Sequence, residues 1–520
     1  MLFGMLTPKR NTMKRNLNEI LFAIYVSLVF SLVYTGQFAL APVYLLILFV
    51  IFFVVFYFLS HPLFSIAGRI NSQKTEVKKT GLIVTAAFIV SFIYLGLWFY
   101  YYYPGWFSGD SEMQLNEAVS GIYTDWHPAL HTLLCFTLPL KLTGGWKGSI
   151  VLFQIIWFSL ALSYMVKTFL RHGNLSFATI SYILILFNPV TGAIIKQPWK
   201  DVTLAIFAIF MSCYALNIFF DGDWIKKPLN LILTSLVTAA ATIIRHNAVL
   251  FTLPLAVAMV HYIKGKKFKV IYPVLAATVF VLIKGPLYSS LNVTNPGSRV
   301  TETMGLPMII IGETVKESPE LLDDDVLDFA YSIAPKEKWD EFYTSGDFNN
   351  IKFNGDINTN PIEDAGTAGV LGYMLSCFIS SPKYALKGLI DGTKMVYAVS
   401  GDITWSPEFI PPKLLSPILS SPLKYVILYV GLGNLAVVFF SLQRKNGWFS
   451  IPLLCHNFGT MLLLTGPDYR FFYLTYPVTW IILFHLFFKD KKVTPIGRNL
   501  KHHSVLSDIL NQISQQEEKN

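Results

Sequence analysis

One carboxylate stands in a short polar stretch directly after an aromatic cluster. Residues 105–114 read Gly-Trp-Phe-Ser-Gly-Asp-Ser-Glu-Met-Gln, and Asp110 is the first acid among them. Tyr100 to Tyr103 come just before it, and Tyr side chains concentrate where a membrane meets water. Because partial desolvation raises the pKa of a carboxylate, we expect Asp110 to act as a general base toward an incoming hydroxyl. The structural alternative is that Asp110 caps a helix beginning near Ser111.

Four basic residues lie in turns where a membrane protein usually carries little positive charge: Lys196, Lys200, Arg245 and Arg470. Lys and Arg are disfavoured in short external loops because they oppose membrane insertion. Cations gathered at an outer surface suit a phosphate or pyrophosphate group, so we assign these four residues, together with His127, to a donor phosphate. The alternative for each cation is that it extends to water or pairs with a nearby Asp.

Further polar residues accompany these groups. The run Thr-Asp-Trp-His-Pro at 124–128 contains His127, which binds phosphate or orients Asp110 unless it is a hydrogen-bonded structural histidine. We assign substrate contacts to Glu112, Asp125, Trp126, Asn247, Asp468 and Tyr473. Glu112, Asp125 and Asp201 are weaker candidates for the base, and an acid near Asp110 leaves open a divalent cation, Mg²⁺ or Mn²⁺. No residue is assigned as a metal ligand.

The composition indicates how these residues are positioned. Of 520 residues, 53% are hydrophobic and 14% are charged, whereas a soluble protein has about 25% charged residues. The apolar residues form runs of about 17 to 25, the length a helix needs to cross a bilayer. We therefore predict an all-α polytopic membrane protein with about twelve transmembrane helices, at 17–36, 39–59, 81–103, 148–166, 175–195, 202–220, 229–245, 247–263, 270–290, 423–441, 449–465 and 471–488.

The distribution of basic residues predicts how the chain is oriented. The net charge is +9, but more than half of the 41 Lys and Arg residues lie at the two termini and in alternate loops. This positive-inside pattern predicts that both termini are cytoplasmic and argues against a nucleic-acid partner. It also brings five polar clusters to the outer face: residues 105–114, 124–128, 196–201, 245–247 and 467–470. Compact loops and the absence of eukaryotic targeting signals favour a bacterial plasma membrane, and the first apolar segment is expected to be retained.

Four regions follow from this pattern. Residues 1–290 form a transmembrane region with a first outer loop at 104–147. Residues 291–422 form a small extracytoplasmic segment, in which 368–400 are assigned to interfacial or re-entrant helices. Residues 423–488 are the C-terminal transmembrane helices, and 489–520 are a cytoplasmic tail. The four cysteines lack metal or disulfide spacing and are interpreted as small core residues: Cys135, Cys213, Cys377 and Cys455.

Together these features resemble the GT-C superfamily of integral membrane glycosyltransferases. The resemblance rests on the first-loop acid, the helical body, the outward basic residues and residues 468–477, which read Asp-Tyr-Arg-Phe-Phe-Tyr-Leu-Thr-Tyr-Pro. It implies that Asp110 is the catalytic base and that the Arg470 region holds the phosphate of a polyprenyl-phosphate sugar, which is transferred with inversion. The roles of Arg245 and Lys200 rest on topology. The first loop carries Gly-Asp-Ser-Glu where an Asp-Asp or Asp-Glu doublet is better known.

The expected activity is transfer of a sugar from a polyprenyl phosphate to a glycan or lipid hydroxyl in cell-envelope modification. Three other classes stay open. A polysaccharide polymerase or ligase also uses lipid-linked sugars and has a large late loop, which 291–367 partly matches. A lipid-linked oligosaccharide flippase or other transporter needs ionisable residues at mid-membrane depth on several helices. An accessory scaffold needs none of this chemistry.

Overall fold

The chain is helical throughout the part that the computed structural model describes, which comprises residues 17–31, 42–69, 79–297, 299–353, 357–397, 449–463, 466 and 469–488. These ranges contain no β-strand, and extended pairing is limited to isolated bridges. We number the helices α1 Leu17–Val29, α2 Pro42–Arg69, α3 Thr80–Tyr101, α4 Gly109–Ser120, α5 Ala129–Leu142, α6 Gly148–Arg171, α7 Leu175–Leu186, α8 Pro189–Ile195, α9 Lys200–Phe220, α10 Pro228–Ile244, α11 Val249–Tyr262 and α12 Lys266–Ser290.

The remaining helices follow a short extended link after α12. They are α13 Val300–Thr303, α14 Gly305–Glu317, α15 Asp324–Ile333, α16 Lys336–Phe342, α17 Asn349–Lys352, α18 Asn360–Ser380, α19 Pro382–Tyr397, α20 Ile451–Met461 and α21 Thr475–Phe488. The predicted span at 423–441 and the tail at 489–520 lie outside the described residues.

Five helices in the described ranges are long and apolar enough to cross a membrane: Pro42–Ser60, Thr80–Tyr101, Gly148–Arg171, Lys200–Phe220 and Lys266–Ser290. Their presence is consistent with a helical membrane protein, as the composition predicts. The number twelve stays a prediction, because several other apolar helices are shorter. One expected span, 175–195, is two helices, since Asn188 breaks the run and its side chain accepts a hydrogen bond from the backbone N–H of Val190 at 2.8 Å. Asparagine is a favoured residue at the start of a helix.

The main core surrounds α6 and α9. Large apolar side chains on both helices, including Phe158, Leu162 and Ile209, are completely buried. Helix α3 packs on α6, and α10 and α21 pack on α9. Helices α6 and α9 are therefore the most enclosed of the long apolar helices, whereas α3 and α12 leave most of their apolar surface uncovered. Lys200 is the first residue of α9 and so lies at one end of this core.

Residues 300–397 have a core of their own. Trp339, Tyr343 and Phe348 are fully buried there against α14, and α14 packs along α19. The expected extracytoplasmic segment is thus a folded helical unit. Residues 360–380 form a helix with a break at Gly366, where φ is 62°. Whether 368–400 lie at the membrane interface stays a prediction.

The α14–α19 contact provides the first test. A Cβ on Gly388 would lie 2.9 Å from the Cβ of Glu313 and 3.1 Å from the Cα of Ile310, too close for backbone that cannot yield. We expect Gly388→Ala to lower the free energy of unfolding by about 1–2 kcal/mol, measured by denaturant titration in a mild detergent. Gly372→Ala, which meets nothing within 4 Å on α18, is the control and should be neutral or stabilising. Equal effects would show that α14 and α19 are not in close contact.

Candidate functional site

The acid of the first loop lies in the first turn of α4 and is not its cap. Ser108 holds the N-cap position, and Asp110 is the second residue of the helix. The capping alternative for Asp110 is therefore wrong. Ser108 accepts a hydrogen bond from the indole N–H of Trp199 at 2.9 Å, which ties the start of α4 to the residue before α9. The Asp110 carboxylate is consequently held close to the N-terminus of α9.

Two of the assigned cations face the Asp110 carboxylate. Lys200, the first residue of α9, has its Nζ 3.4 Å from Oδ2 of Asp110. Arg470, from the Tyr469–Phe472 turn, has a guanidinium nitrogen 3.8 Å from the same oxygen. The side chains of Asp110, Lys200 and Arg470 are 39%, 18% and 21% exposed, so the group is open to solvent on one side. Three segments far apart in the chain thus form one charged cluster.

Aromatic rings support the cations. The Arg470 guanidinium lies 5.0 Å from the ring centre of Trp199 and 4.9 Å from that of Phe471. The Arg245 guanidinium also contacts Phe471, 4.5 Å from its ring centre, and it forms a buried ion pair with Asp201. Cations are attracted to the faces of aromatic rings within about 6 Å. Arg245 and Arg470 are therefore held by a shared ring, and the site has three cations.

His127 enters the cluster as a neutral group. Its Nδ1 lies 3.0 Å from Nζ of Lys200, and since an ammonium has no acceptor, Nδ1 must accept that hydrogen bond. Burial and the positive charge of Lys200 lower the pKa of His127 to about 4. His127 thus carries its proton on Nε2 at neutral pH. It can orient Lys200 or donate a hydrogen bond, and it does not add a positive charge.

The electrostatics of Asp110 differ from the expectation. Burial acts to raise its pKa, but the charges of Lys200 and Arg470, with a smaller contribution from His127, outweigh it and hold the pKa at about 2. The prediction of a raised pKa for Asp110 is therefore wrong for the free protein, because the cations that the fold brings close outweigh the effect of burial. Asp110 is fully ionised at neutral pH.

Beneath the charged cluster lies a buried polar network that the sequence did not indicate. His131 is completely buried; its Nδ1 lies 2.5 Å from Oε1 of Gln114, and its Nε2 lies 3.0 Å from Oγ1 of Thr203. The amide of Gln114 donates in turn to the backbone carbonyl of Asp110 at 3.2 Å. Thr203 is one turn after Lys200 on α9. The network therefore fixes α4 on α9 at the height where Asp110 meets Lys200.

A second part of the network holds the loop that carries His127. Glu117 accepts hydrogen bonds from the backbone and the hydroxyl of Thr124, at 3.2 and 2.6 Å. Asp125 accepts from Lys284 at 2.6 Å, and its backbone N–H donates to the carbonyl of Thr294 at 2.7 Å. Residues 117, 125 and 284 thus clamp the loop between α4 and α5, and Thr294 links it to the chain that leads into the second core.

The other assigned residues are placed around this site without entering it. Glu112 pairs with Lys147 at 2.8 Å, and Nζ of Lys196 lies 3.3 Å from the ring centre of Tyr102. Asn247 donates to the hydroxyl of Thr460 at 3.0 Å, and the buried hydroxyl of Tyr473 lies 2.9 Å from that of Thr191. Trp126 lies under Arg299, with 5.9 Å between guanidinium and ring centre. Asp468 is outside the described residues.

The acids around Asp110 are engaged in ion pairs. Within the described ranges, no group of three or more His, Cys, Asp or Glu side chains is arranged to hold a metal ion. The candidate acids near Asp110 each have a cationic partner: Lys147 for Glu112, Lys284 for Asp125 and Arg245 for Asp201. The site thus contains three cations, Lys200, Arg245 and Arg470, and two carboxylates, those of Asp110 and Asp201.

The fold and the site together define a helical protein with membrane-length apolar helices and a cluster of three cations and two acids at one end of its core. Comparison with protein-family models, with curated proteins and with solved structures gives no match. The class of the protein therefore rests on the residues and their geometry.

Replacing Gln114 tests the buried network. Gln114→Leu removes the acceptor of His131 Nδ1 and so leaves a buried donor without its partner, whereas the Thr132 hydroxyl keeps its second acceptor, Glu117. We expect a loss of about 1–3 kcal/mol in unfolding free energy, measured by denaturant titration. Met113→Leu, an exposed position on the same helix, is the control and should change little. A Gln114→Leu variant as stable as the control would contradict the network.

The histidines predict how stability depends on pH. Burial, then the charge of Lys200, lowers the pKa of His131 to about 3, below the value of about 6.5 expected in the unfolded chain. The unfolded state therefore binds more protons below pH 6.5, and stability falls as the pH drops toward 3, by at most about 1.4 kcal/mol per pH unit for each such histidine. His131→Asn should reduce this slope between pH 6.5 and 4.5. An unchanged slope would mean that His131 does not stay neutral in the fold.

Proposed function

We propose that this protein is an integral membrane glycosyltransferase that moves a sugar from a polyprenyl phosphate to an acceptor hydroxyl at the outer face of the membrane. The observation that carries the proposal is the meeting of Asp110 with Lys200 and Arg470 at one half-open site. An acid and several cations beside an apolar helical body suit a reaction between a hydroxyl and a lipid phosphate. The acceptor is a glycan or lipid of the cell envelope.

The proposed reaction is a direct displacement. Asp110 takes the proton of the acceptor hydroxyl while the acceptor oxygen attacks the anomeric carbon of the donor sugar. The bond from the anomeric carbon to the phosphate oxygen breaks, and its electron pair leaves with the phosphate. Lys200, Arg470 and Arg245 stabilise the charge that develops on that phosphate. One displacement inverts the anomeric centre.

The aromatic supports favour an arginine at position 470. A guanidinium is planar, stacks on rings and presents a fork of donors to two phosphate oxygens, whereas an ammonium is a point charge. The ring contacts of Arg470 with Trp199 and Phe471 are of this kind. Arg245 is held by Asp201 and Phe471, so it supports the phosphate end of the site as a fixed charge.

A transfer assay tests the proposal. Purified protein in nanodiscs is incubated with a panel of radiolabelled polyprenyl-phosphate sugars and membrane extracts that contain acceptors. Asp110→Asn should lower the transfer rate by at least about 10²-fold, because the variant has no base. Asp223→Asn is the matched control and should retain the wild-type rate, since Asp223 also faces two lysines but follows the end of α9 opposite to Lys200. Activity of Asp110→Asn within a few-fold of wild type would remove Asp110 from the role of base.

Arg470→Lys tests the cationic part of the site in the same assay. We expect it to raise the KM for the lipid-phosphate donor and to lower kcat, because the substitution keeps the charge and loses the ring contacts and the fork of donors. Unchanged kinetic constants would show that Arg470 does not contact the donor.

A polymerase or ligase is the second candidate, and the folded unit of residues 300–397 is the observation that favours it. A large folded segment late in the chain gives such an enzyme room to hold a long glycan. The size of the product distinguishes the two: a ladder of polymer lengths supports the polymerase, and a single added sugar supports the transferase.

A further inference from the structure

One oxygen atom faces both outward cations of the site. Oδ2 of Asp110 is the atom that lies 3.4 Å from Nζ of Lys200 and 3.8 Å from a guanidinium nitrogen of Arg470. A carboxylate oxygen and a phosphate oxygen accept hydrogen bonds from the same donors. An incoming phosphate and the Asp110 carboxylate therefore compete for one position.

We propose that the Asp110 carboxylate occupies the anion site of the free protein and that a lipid phosphate displaces it on binding. Asp110 is then an internal competitor of the ligand as well as a base. The identity of the ligand as a lipid phosphate rests on the proposed function, whereas the competition rests on the geometry of the charged cluster.

The distances indicate which ion pairs can open. Charge-assisted hydrogen bonds between an ammonium and a carboxylate are usually about 2.7–2.9 Å long. The pair of Lys284 with Asp125 is slightly shorter than this, at 2.6 Å, and its acid is 11% exposed. Both contacts of Asp110 are longer, and its side chain is 39% exposed. Ion pairs of this loose and exposed kind are weak. The singly charged phosphodiester of a polyprenyl-phosphate sugar has two free oxygens to offer to the two cations, so it can replace the carboxylate.

The inner pair of the site does not open in this scheme. The side chain of Asp201 is 2% exposed and that of Arg245 is 10% exposed, and the guanidinium also lies against Phe471. Separating a buried pair would leave an uncompensated charge inside the protein. Arg245 and Asp201 therefore stay paired, while Lys200 and Arg470 exchange one anion for another.

Displacement also changes the chemistry of the acid. In the free protein the two cations favour the ionised form of Asp110, which makes it a weak base. Once a phosphate takes over Lys200 and Arg470, the carboxylate has lost these partners and lies near a second negative charge. Both changes favour its protonated form and so increase its tendency to accept a proton. Asp110 becomes an effective base when the donor is in place, which orders the steps of the reaction.

Equilibrium binding of a phosphate amphiphile tests the competition. The probe is dodecyl phosphate, titrated by calorimetry into the full-length protein in dodecyl maltoside, a detergent without phosphate. Asp110→Asn removes the competing charge and keeps the size of the side chain. We expect the variant to bind dodecyl phosphate about two- to fivefold more tightly than the wild type, in the range of a weak surface ion pair. Asp223→Asn, which removes an acid that faces Lys226 and Lys264, should bind as the wild type does.

A double-mutant cycle attributes the effect to the cation. In a Lys200→Met background, Asp110→Asn should improve binding by a smaller factor, because one of the two competed partners is gone. Equal factors in both backgrounds would show that Asp110 acts on the ligand only through its general negative charge and would overturn the competition at Lys200. The unfolding midpoint of each variant is measured alongside, so that a misfolded sample is replaced by Asp110→Ala or Lys200→Gln.

The outcomes separate this inference from the proposed function. Unchanged or weaker binding by Asp110→Asn overturns the competition, whatever the transfer assay shows, and so does absence of binding in both forms. Tighter binding together with normal sugar transfer keeps the competition and removes Asp110 from catalysis. Tighter binding with loss of transfer supports both roles.

Discussion

Mutual neutralisation of charges at the N-terminal end of α9 is the constraint on which the site depends. Lys200 and Asp201 begin a helix that is otherwise apolar and enclosed in the core. Charges placed there are stable when each finds an opposite charge or a ring close by. Arg245 neutralises Asp201, and Asp110 pairs with both Lys200 and Arg470. The segments that carry these partners must therefore close over the end of α9.

The buried network under this cluster explains how α4 holds Asp110 in place. Helix α4 has few apolar residues, and its inward face consists of Ser111, Gln114 and Glu117. Such a face gains little from the hydrophobic effect, so its attachment to α5 and α9 depends on hydrogen bonds, above all those of His131. Directional bonds position a helix more narrowly than apolar packing does, which suits an acid that has to meet two cations.

The sequence predicted part of this arrangement for identifiable reasons. Lys200, Arg245 and Arg470 were predicted because costly charges interrupt apolar sequence, and Asp110 and His127 because they lie in polar stretches of the first loop. The structure brings these five residues together, whereas Lys196, predicted for the same reason as the other cations, lies against Tyr102. Whether a Lys or Arg opposes membrane insertion depends on the short segment around it, so a single sequence reveals cations in unfavourable places. Glu112, Asn247 and Tyr473 were assigned to the same location. Their side chains instead contact Lys147, Thr460 and Thr191, respectively. Residue type and approximate depth do not determine whether a side chain turns toward the site.

Nothing in the sequence around His131, Gln114 and Thr203 indicated that they would form a buried network. A lone histidine and a glutamine on a polar helix are usually solvated or structural, and their pairing depends on which helices pack together. The apolar runs and the choice of charged residues belong to the sequence alone, because the transfer of each segment into an apolar medium is a local property. The sign of the pKa shift of Asp110 and the buried links were decided by the tertiary structure, because electrostatic and hydrogen-bond energies depend on distances between groups on different segments, as with Asp110 and Lys200 or His131 and Thr203.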